Sequence, residues 1–375
     1  MADATVFVND LFDEDITVDN ESFPWVHAIS IEARLNTARK VTIQFSTREG
    51  LEMCSIGRTL RVQVGKSDVA GGIDFVGKIK MVIPSYEVST AVAYDYIADL
   101  KSSKLVNFSD RDYAGMDLIM AAKHGVSNSV SNNKYIVDTM SHINLDALNV
   151  SCGVTYKGDQ GFEGYQTRKS FLDKIFAGAS TEMSTQQYLS GAYPNLTFLP
   201  WHYAIRKNNE LEVFRPDIYT ETPVIHLGKN NFNIVGAGLN GTIDTARMVN
   251  SVVVQSSETD YVATYSDDSS IAQYGSQSLL MNSKISNPSN MDEIAYAVVT
   301  SGNEPAASYT VIVDDAHWIG LGNIVEVTLP TMEERRRFVV KEYMTTIKDK
   351  IITTLTLGSN KLRTADLVNR IVTQS

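Results

Sequence analysis

At 375 residues the chain has room for two or three domains. It is 43% hydrophobic and 21% charged, which excludes wholesale disorder and collagen-like repeats. Lys and Arg total 33 against 44 Asp and Glu, and the net charge of −11 argues against a general nucleic-acid binder, because neutralising phosphate needs clustered cations. The two cysteines, Cys54 and Cys152, allow one disulfide at most and read as small buried hydrophobes of a reducing compartment. Apolar runs such as Val252-Val253-Val254 are too short to span a bilayer. The acidic start, with Asp10, Asp13, Glu14 and Asp15, is unlike a signal peptide, so synthesis in the cytosol without export of its own is expected.

Through residues 1–101 the pattern is one of strands. Val41–Phe45, Leu60–Val64, Phe75–Ile79, Lys80–Ile83 and Tyr94–Ala98 alternate apolar with polar residues, as in a sheet with one buried face. Turn signals at Arg48-Glu49-Gly50, Ala70-Gly71-Gly72 and Pro84-Ser85 separate them, and short strands at this spacing predict a sandwich or barrel. The texture then changes. Asp110–Gly125 predicts a helix capped by Ser109 or Asp110, with Met116, Ile119, Met120 and Lys123 at helical spacing and Gly125 as its stop. Residues 127–133 are polar and predict a loop. Arg168–Gly178 predicts a second helix with Phe171, Leu172, Ile175 and Phe176 on one face. Asn195–Ile205 and Leu211–Phe214 return to a strand pattern across an Asn208-Asn209 turn.

Past residue 222 strands dominate again, at Val224–Leu227, Phe232–Val235, Ser251–Gln255 and Asp260–Tyr265. Asp268–Gly275 reads as a turn-like segment, and Pro288–Val299 as a helix capped by Asn290. Ser308–Val313, Asn323–Leu329, Arg337–Tyr343 and Ile351–Leu357 close the chain as strands, with a helical turn or two in Ala365–Val372. The expected layout is a β domain (1–101), a mixed α/β insert (102–221), a second β domain (222–265 and 308–358) holding a helical insert (266–307), and a tail (359–375). No short-period repeat is visible, although the two β domains are of similar size.

Few residues point to chemistry. Gly236–Gly241 matches the dinucleotide fingerprint, but that motif needs a following helix N-terminus for the pyrophosphate, and here β-rich sequence follows, so a tight turn or bulge is expected. The histidines, His27, His124, His142, His202, His226 and His317, lack metal-ligand spacing, and neither cysteine sits beside one. Gly178–Glu182 approaches a nucleophile elbow around Ser180 but lacks the final glycine. Asp267-Asp268 and Asp314-Asp315 are adjacent pairs, which a strand points to opposite faces and a loop leaves solvated. Glu333–Arg337 reads as a charged hairpin loop, or more sharply as a docking site for an acidic partner, since arginine pairs carboxylates bidentately. The sequons at Asn107, Asn149, Asn195 and Asn240 carry no meaning for a cytosolic product. No catalytic, cofactor-binding or metal-binding residue is assigned.

Taken in order, four segments resemble the baseplate hub proteins of contractile-tailed bacteriophages, a family that includes the late-control tail proteins of temperate phages and the hub half of type VI secretion spikes. They are Gly57–Val64 with Phe75–Ile79; Lys104–Tyr113; Ser269–Gly275; and Ile319–Leu329 followed by Arg337–Tyr343 and Leu355–Leu357. In the last, Asn323 stands where the family's Gly-Asp pair has its aspartate. The resemblance implies a mainly β fold with α+β inserts, containing two tube-type β-barrels in one chain. It implies a homotrimer whose ring of six barrels adapts a six-fold tail tube to a three-fold spike and lines the DNA channel. The implied neighbours are a tail tube or tube-initiator protein above, a spike protein below, and baseplate wedge or tape-measure proteins beside. The implied location is the virion tail, with host cytoplasm during assembly, and neither enzymatic activity nor a cofactor is implied. An acidic balance suits a lumen that passes DNA without gripping it. The alternatives are a β-rich tail-associated hydrolase, for which convergent carboxylates or a nucleophile would be needed, and a carbohydrate-binding module, which the seventeen tyrosines permit but do not favour. Too few residues follow Gly358 to form a separate lytic domain.

Overall fold

The computed structural model describes residues 4–9, 26–46, 48–64, 75–102, 105–108, 113, 115–127, 143–149, 151–152, 164–176, 201–206, 209–218, 221–228, 234–246, 248–283, 288–328 and 335–359. The N-terminal part supplies β1 (Ala4–Asn9), β2 (Val26–Arg34), β3 (Lys40–Phe45), β4 (Thr59–Val64), β5 (Phe75–Ile83) and β6 (Ser89–Tyr94). They pair antiparallel in the order β1-β4-β5-β6-β3-β2. Alternation seats them: in β3, Val41, Ile43 and Phe45 are buried while the residues between face outward. Ile29, Ile31, Leu60, Val62, Phe75, Ile79, Ala91 and Ala93 complete the core of this half.

Two local expectations change here. Arg48–Gly50, expected as a turn, begins helix α1 (Arg48–Met53). Tyr94–Ala98, expected as a strand, splits: β6 ends at Tyr94, and Asp95 Oδ1 accepts the Ile97 N–H at 3.1 Å to start α2 (Ile97–Ser102).

The middle of the chain pairs β7 (Val106–Asn107) with β8 (Tyr165–Gln166), and β9 (His202–Ile205) with β10 (Leu211–Phe214). Helices α3 (Leu118–Ser127) and α4 (residues 168–176) pack beside them around Phe108, Tyr113, Phe171, Leu172 and Tyr203. Phe171 stacks on Phe108 at 4.1 Å between ring centroids and meets Tyr113 edge-on at 4.9 Å. Helix α3 begins at Leu118 rather than near Asp110, because Asp117 Oδ1 accepts the N–H groups of Ile119 (3.0 Å) and Met120 (3.3 Å). Gly125 is not its stop. It lies inside the helix, where a Cβ would sit 2.1 Å from Phe171 Cε1, so its role is close packing. Asn209 takes φ +58° at the turn before β10. Ser109, Asp110, residues 128–133 and residues 195–200 lie outside the described residues.

The second sheet contains β11 (Ile225–Leu227) and β12 (Ile234–Asp244), followed later by further strands. Between them the chain forms a separate unit: β13 (Ser251–Ser256), β14 (Val262–Ser266), α5 (Asp268–Tyr274), β15 (Ser278–Ser283) and α6 (Pro288–Gly302). Strand β13 is central, antiparallel to β14 and parallel to β15. One face of this sheet buries Val252, Val254, Ala263 and Met281 against Met291, Ile294 and Val298 of α6. Residues 251–265, expected in the second β domain, therefore build the insert's own core; the strand pattern was legible but the partner strand was not. Asp268–Gly275 is a helix rather than a turn, because Asp267 caps it. Helix α6 starts at Pro288, whose fixed φ and missing N–H suit a first helical position, so Asn290 is its third residue and not its cap. Residues 365–372 lie outside the described residues.

The sheet resumes with β16 (Ala306–Asp314), β17 (Ile324–Thr328), β18 (Arg335–Ile347) and β19 (Ile351–Gly358), in the order β17-β18-β19-β16-β12, with β11 parallel to β17. The thirteen-residue β18 divides one of its edges. Arg335–Val339 pair with β17, and Glu342–Ile347 pair antiparallel with Arg34–Ile29 of β2. That second pairing joins both halves into one twelve-stranded sheet.

Candidate functional site

Apart from His226, Arg335 and Arg337, which meet at Glu326, the residues singled out for chemistry do not converge. Gly236–Gly241 lies within β12, with a register shift against β16 between Ile234 and Leu239, so the glycines sit in a bulged strand and no helix follows them. His27 is exposed on β2, and His142 lies outside the described residues. His124 Nδ1 lies 3.0 Å from the Tyr113 hydroxyl, His202 Nδ1 3.4 Å from Asn36 Nδ2, His226 Nδ1 2.8 Å from Glu326 Oε1, and His317 Nδ1 3.5 Å from Asp315 Oδ1. Among the described residues no three His, Cys, Asp or Glu side chains cluster as metal ligands. Ser180 and Glu182 lie outside the described residues, as do Glu333 and Glu334.

Asp267 is occupied structurally. Its Oδ1 accepts the N–H groups of Ser269 and Ser270, each at 3.0 Å, and its Oδ2 accepts Asn303 Nδ2 at 2.7 Å. Hydrogen bonds from Ser269, Asn303 and Ser270 hold its carboxyl down at about 2. Asp268 opens α5, Asp314 ends β16, and Asp315 stands exposed with φ +50°. Arg335–Arg337 are not part of a loop but belong to β18. Arg337 Nε lies 3.4 Å and Arg335 Nη1 3.6 Å from the carboxylate of Glu326 on β17. Burial opposes ionisation of Glu326, but the hydrogen bond and charge of His226 and the two arginines outweigh it and hold this carboxyl below its ordinary range.

What the fold does concentrate is sheet edge. The two halves share one topology: β4-β5-β6-β3-β2 and β17-β18-β19-β16-β12 are the same succession of strands, all antiparallel. The registers match residue by residue. Ile79 pairs Ala93 as Val340 pairs Leu357, Val41 pairs Ala93 as Tyr309 pairs Leu357, and Ile31 pairs Val41 as Gly241 pairs Tyr309. Both halves carry a bulge at the same place, with Lys80 the extra residue in β5 and Lys341 in β18. Both open the third strand on a glycine with positive φ. Gly57 (φ +94°) donates its N–H to Ile79 O at 2.8 Å, and Gly322 (φ +77°) donates to Val340 O at 2.9 Å. The returning bonds match as well, Ile79 N–H to Arg58 O and Val340 N–H to Asn323 O, both 2.9 Å.

The junction of the halves is tightly built. Ala33, Ala204 and Leu321 are buried together there, with Leu35, Phe214 and Tyr343 packed against them. The Leu35 N–H reaches the carbonyl of the bulge residue Lys341 at 3.1 Å. Beside it Arg39 is buried, with Nε 3.1 Å from Asp95 Oδ2 and Nη2 3.4 Å from Arg206 O, which ties the first sheet to the middle insert. Burial pushes the Asp95 carboxyl up to about 6 against the pull of Arg39. Among the described residues, the edges without a partner strand include the outer side of β12, and β5 beyond its pairing with β4, which ends at Lys78. Sequence reading found β5, as Phe75–Ile79 and Lys80–Ile83, but not β2 or the body of β12. The available signals were the alternation of Ile29, Ile31 and Ala33, and the recurrence of Gly57…Leu60…Val62 as Gly322…Val325…Val327.

No protein-family model matches the chain. No curated protein matches it either. Solved structures do. It is similar to a tail protein from Neisseria meningitidis MC58, with 15% identity, 97% of this chain and 99% of that one covered, and a TM-score of 0.61. A prophage MuSo2 tail protein from Shewanella oneidensis is similar at 12% identity, with 97% and 99% covered and a TM-score of 0.61. A prophage tail protein from Listeria monocytogenes EGD-e is similar at 11% identity, with 99% and 100% covered and a TM-score of 0.58. Over nearly its whole length, the chain has the fold of phage tail proteins.

Proposed function

We propose that the protein is a structural component of a phage-type contractile tail, the central hub of its baseplate. Three copies would present six equivalent half-sheets as a ring, matching a six-fold tail tube on one side and a three-fold spike on the other. The observation that carries this reading is the full-length fold likeness to tail proteins, joined to two half-sheets of one topology within a single chain. A tube or tube-initiator protein, a spike, and wedge or tape-measure proteins are the proposed neighbours in the virion. The net charge of −11 suits a channel that lets DNA slide. The dispersed carboxylates, with Asp267 engaged as a cap, favour a structural role over the hydrolase alternative.

The test is the mass of the purified protein by light scattering, across concentrations and with its spike neighbour added. About three times the chain mass, as a three-fold ring requires, supports the hub. A mass that stays monomeric with the spike present overturns it.

A further inference from the structure

We propose that the chains join by strand addition: the outer edge of β12 in one chain pairs antiparallel with the end of β5 in the next, repeating between chains the junction that β2 and β18 make within one. This rests on the ring reading above and names the surfaces that would close it.

The internal repeat sets the register. Matching the ladders places Leu239, Gly241 and Ile243 of β12 at the positions of Ile29, Ile31 and Ala33 of β2. It places Met81, Val82 and Ile83 of β5 at those of Glu342, Tyr343 and Met344 of β18. Within the chain, Glu342 faces Arg34, Tyr343 faces Ala33 and Met344 faces Glu32. Between chains, Met81 then faces Asp244, Val82 faces Ile243, and Ile83 faces Thr242. The carbonyl of Lys80 takes the place of the Lys341 carbonyl, which accepts the Leu35 N–H within the chain; Thr245 is the corresponding donor.

Exposure at these positions supports the pairing. Ala33 is 3% exposed in the completed junction, whereas its counterpart Ile243 is 49% exposed on an open edge. An apolar residue on an unpaired strand edge is the feature that soluble proteins ordinarily avoid, because such an edge recruits another strand. The partner edge brings Val82 to face it. The ladder is shorter than its internal model, because Pro84 follows Ile83 and has no N–H to donate. Each contact between chains is therefore weaker than the one within a chain, and closure of the ring supplies the remaining stability. The contact is head-to-tail, so the two edges differ and self-pairing of either edge is not expected.

The test is disulfide trapping. Val82→Cys and Ile243→Cys, placed together in one chain, should cross-link on mild oxidation into covalent species of two and three chains on a non-reducing gel. Ile83→Cys with Ile243→Cys is one residue out of register, its side chains point to opposite faces, and it should not cross-link. Ile243→Lys should reduce the light-scattering mass of the trimer to that of one chain while leaving circular dichroism unchanged. A trimer by mass in which Val82→Cys and Ile243→Cys never cross-link would overturn this pairing and leave the ring standing. Cross-linking that stops at dimers, or is equal in the out-of-register pair, would also overturn it. Persistent monomers without cross-links, with the spike present, would overturn both.

Discussion

Gly322→Ala separates two costs at the start of β17. Alanine at φ +77° pays for a left-handed conformation, about 1 to 2 kcal/mol. Its Cβ would also stand 2.3 Å from Cε2 and 2.6 Å from Cδ2 of the Phe214 ring, which β10 holds against the junction. Overpacking of that kind costs about 1 to 3 kcal/mol. The single variant should thus lose about 2 to 5 kcal/mol, the sum of those two terms. Phe214→Leu alone should lose about 1 to 2 kcal/mol for the atoms removed. Because leucine clears the ring edge, the double variant should fall short of additivity by about 1 to 3 kcal/mol, leaving the backbone cost unrescued. The assay is equilibrium unfolding in guanidinium, followed by tryptophan fluorescence, to which Trp318, lining one cavity with Leu321 and Tyr343, contributes. A neutral Gly322→Ala, or additivity within about 0.5 kcal/mol, would refute both the register of the third strand and the packing of Phe214 over it.

Gly125→Ala sets two effects of opposite sign against each other. Helix propensity favours alanine by about 1 kcal/mol, but a Cβ 2.1 Å from Phe171 Cε1 should outweigh it, so the melting temperature should fall, and it should rise instead in a Phe171→Leu background. Two carboxylates should give opposite pH dependences in the denaturation midpoint. Asp95, at about 6 when folded, lies above its ordinary value of about 4, so its contribution is full below that value and lost as pH rises through about 6. Asp95→Asn should flatten the curve there. Asp267, at about 2, lies below its ordinary value, so its contribution is present at neutral pH and lost as pH falls through about 2. Asp267→Ala should cost about 1 kcal/mol at pH 7, typical of a lost helix cap, and much less near the acid end.

Strands with one wet face were legible, because a period of two survives in β3, β4, β16 and β19 whatever they pair with. Partner choice was not legible. Ser251–Gln255 reads as a strand in any sheet, and only the packing of α6 over Val252 and Val254 assigns it to the insert. The short helices α1 and α5 were missed because six or seven residues give too little periodicity, and for α5 the decisive signal is a single cap, Asp267. The internal repeat is hidden for a related reason. Burial is kept at equivalent positions, such as Ile43 and Val311 or Val62 and Val327, while residue identity has drifted, as in Ile31 against Gly241. A sheet core asks for apolar volume, not for a particular side chain. The fold likeness to tail proteins at identities of 11–15% reflects the same tolerance.

The divided edge of β18 has a mechanical consequence. Six residue pairs between Glu342–Ile347 and Ile29–Arg34 hold the two halves, and they lie along one line. A force that slides one half past the other along that line loads every hydrogen bond of the ladder at once. A force across it loads only the bond at the open end and parts the bonds in turn. The joint is stiff to sliding and weak to peeling, and at the Lys341 end Tyr343, Leu35 and Phe214 clamp the place where peeling would begin.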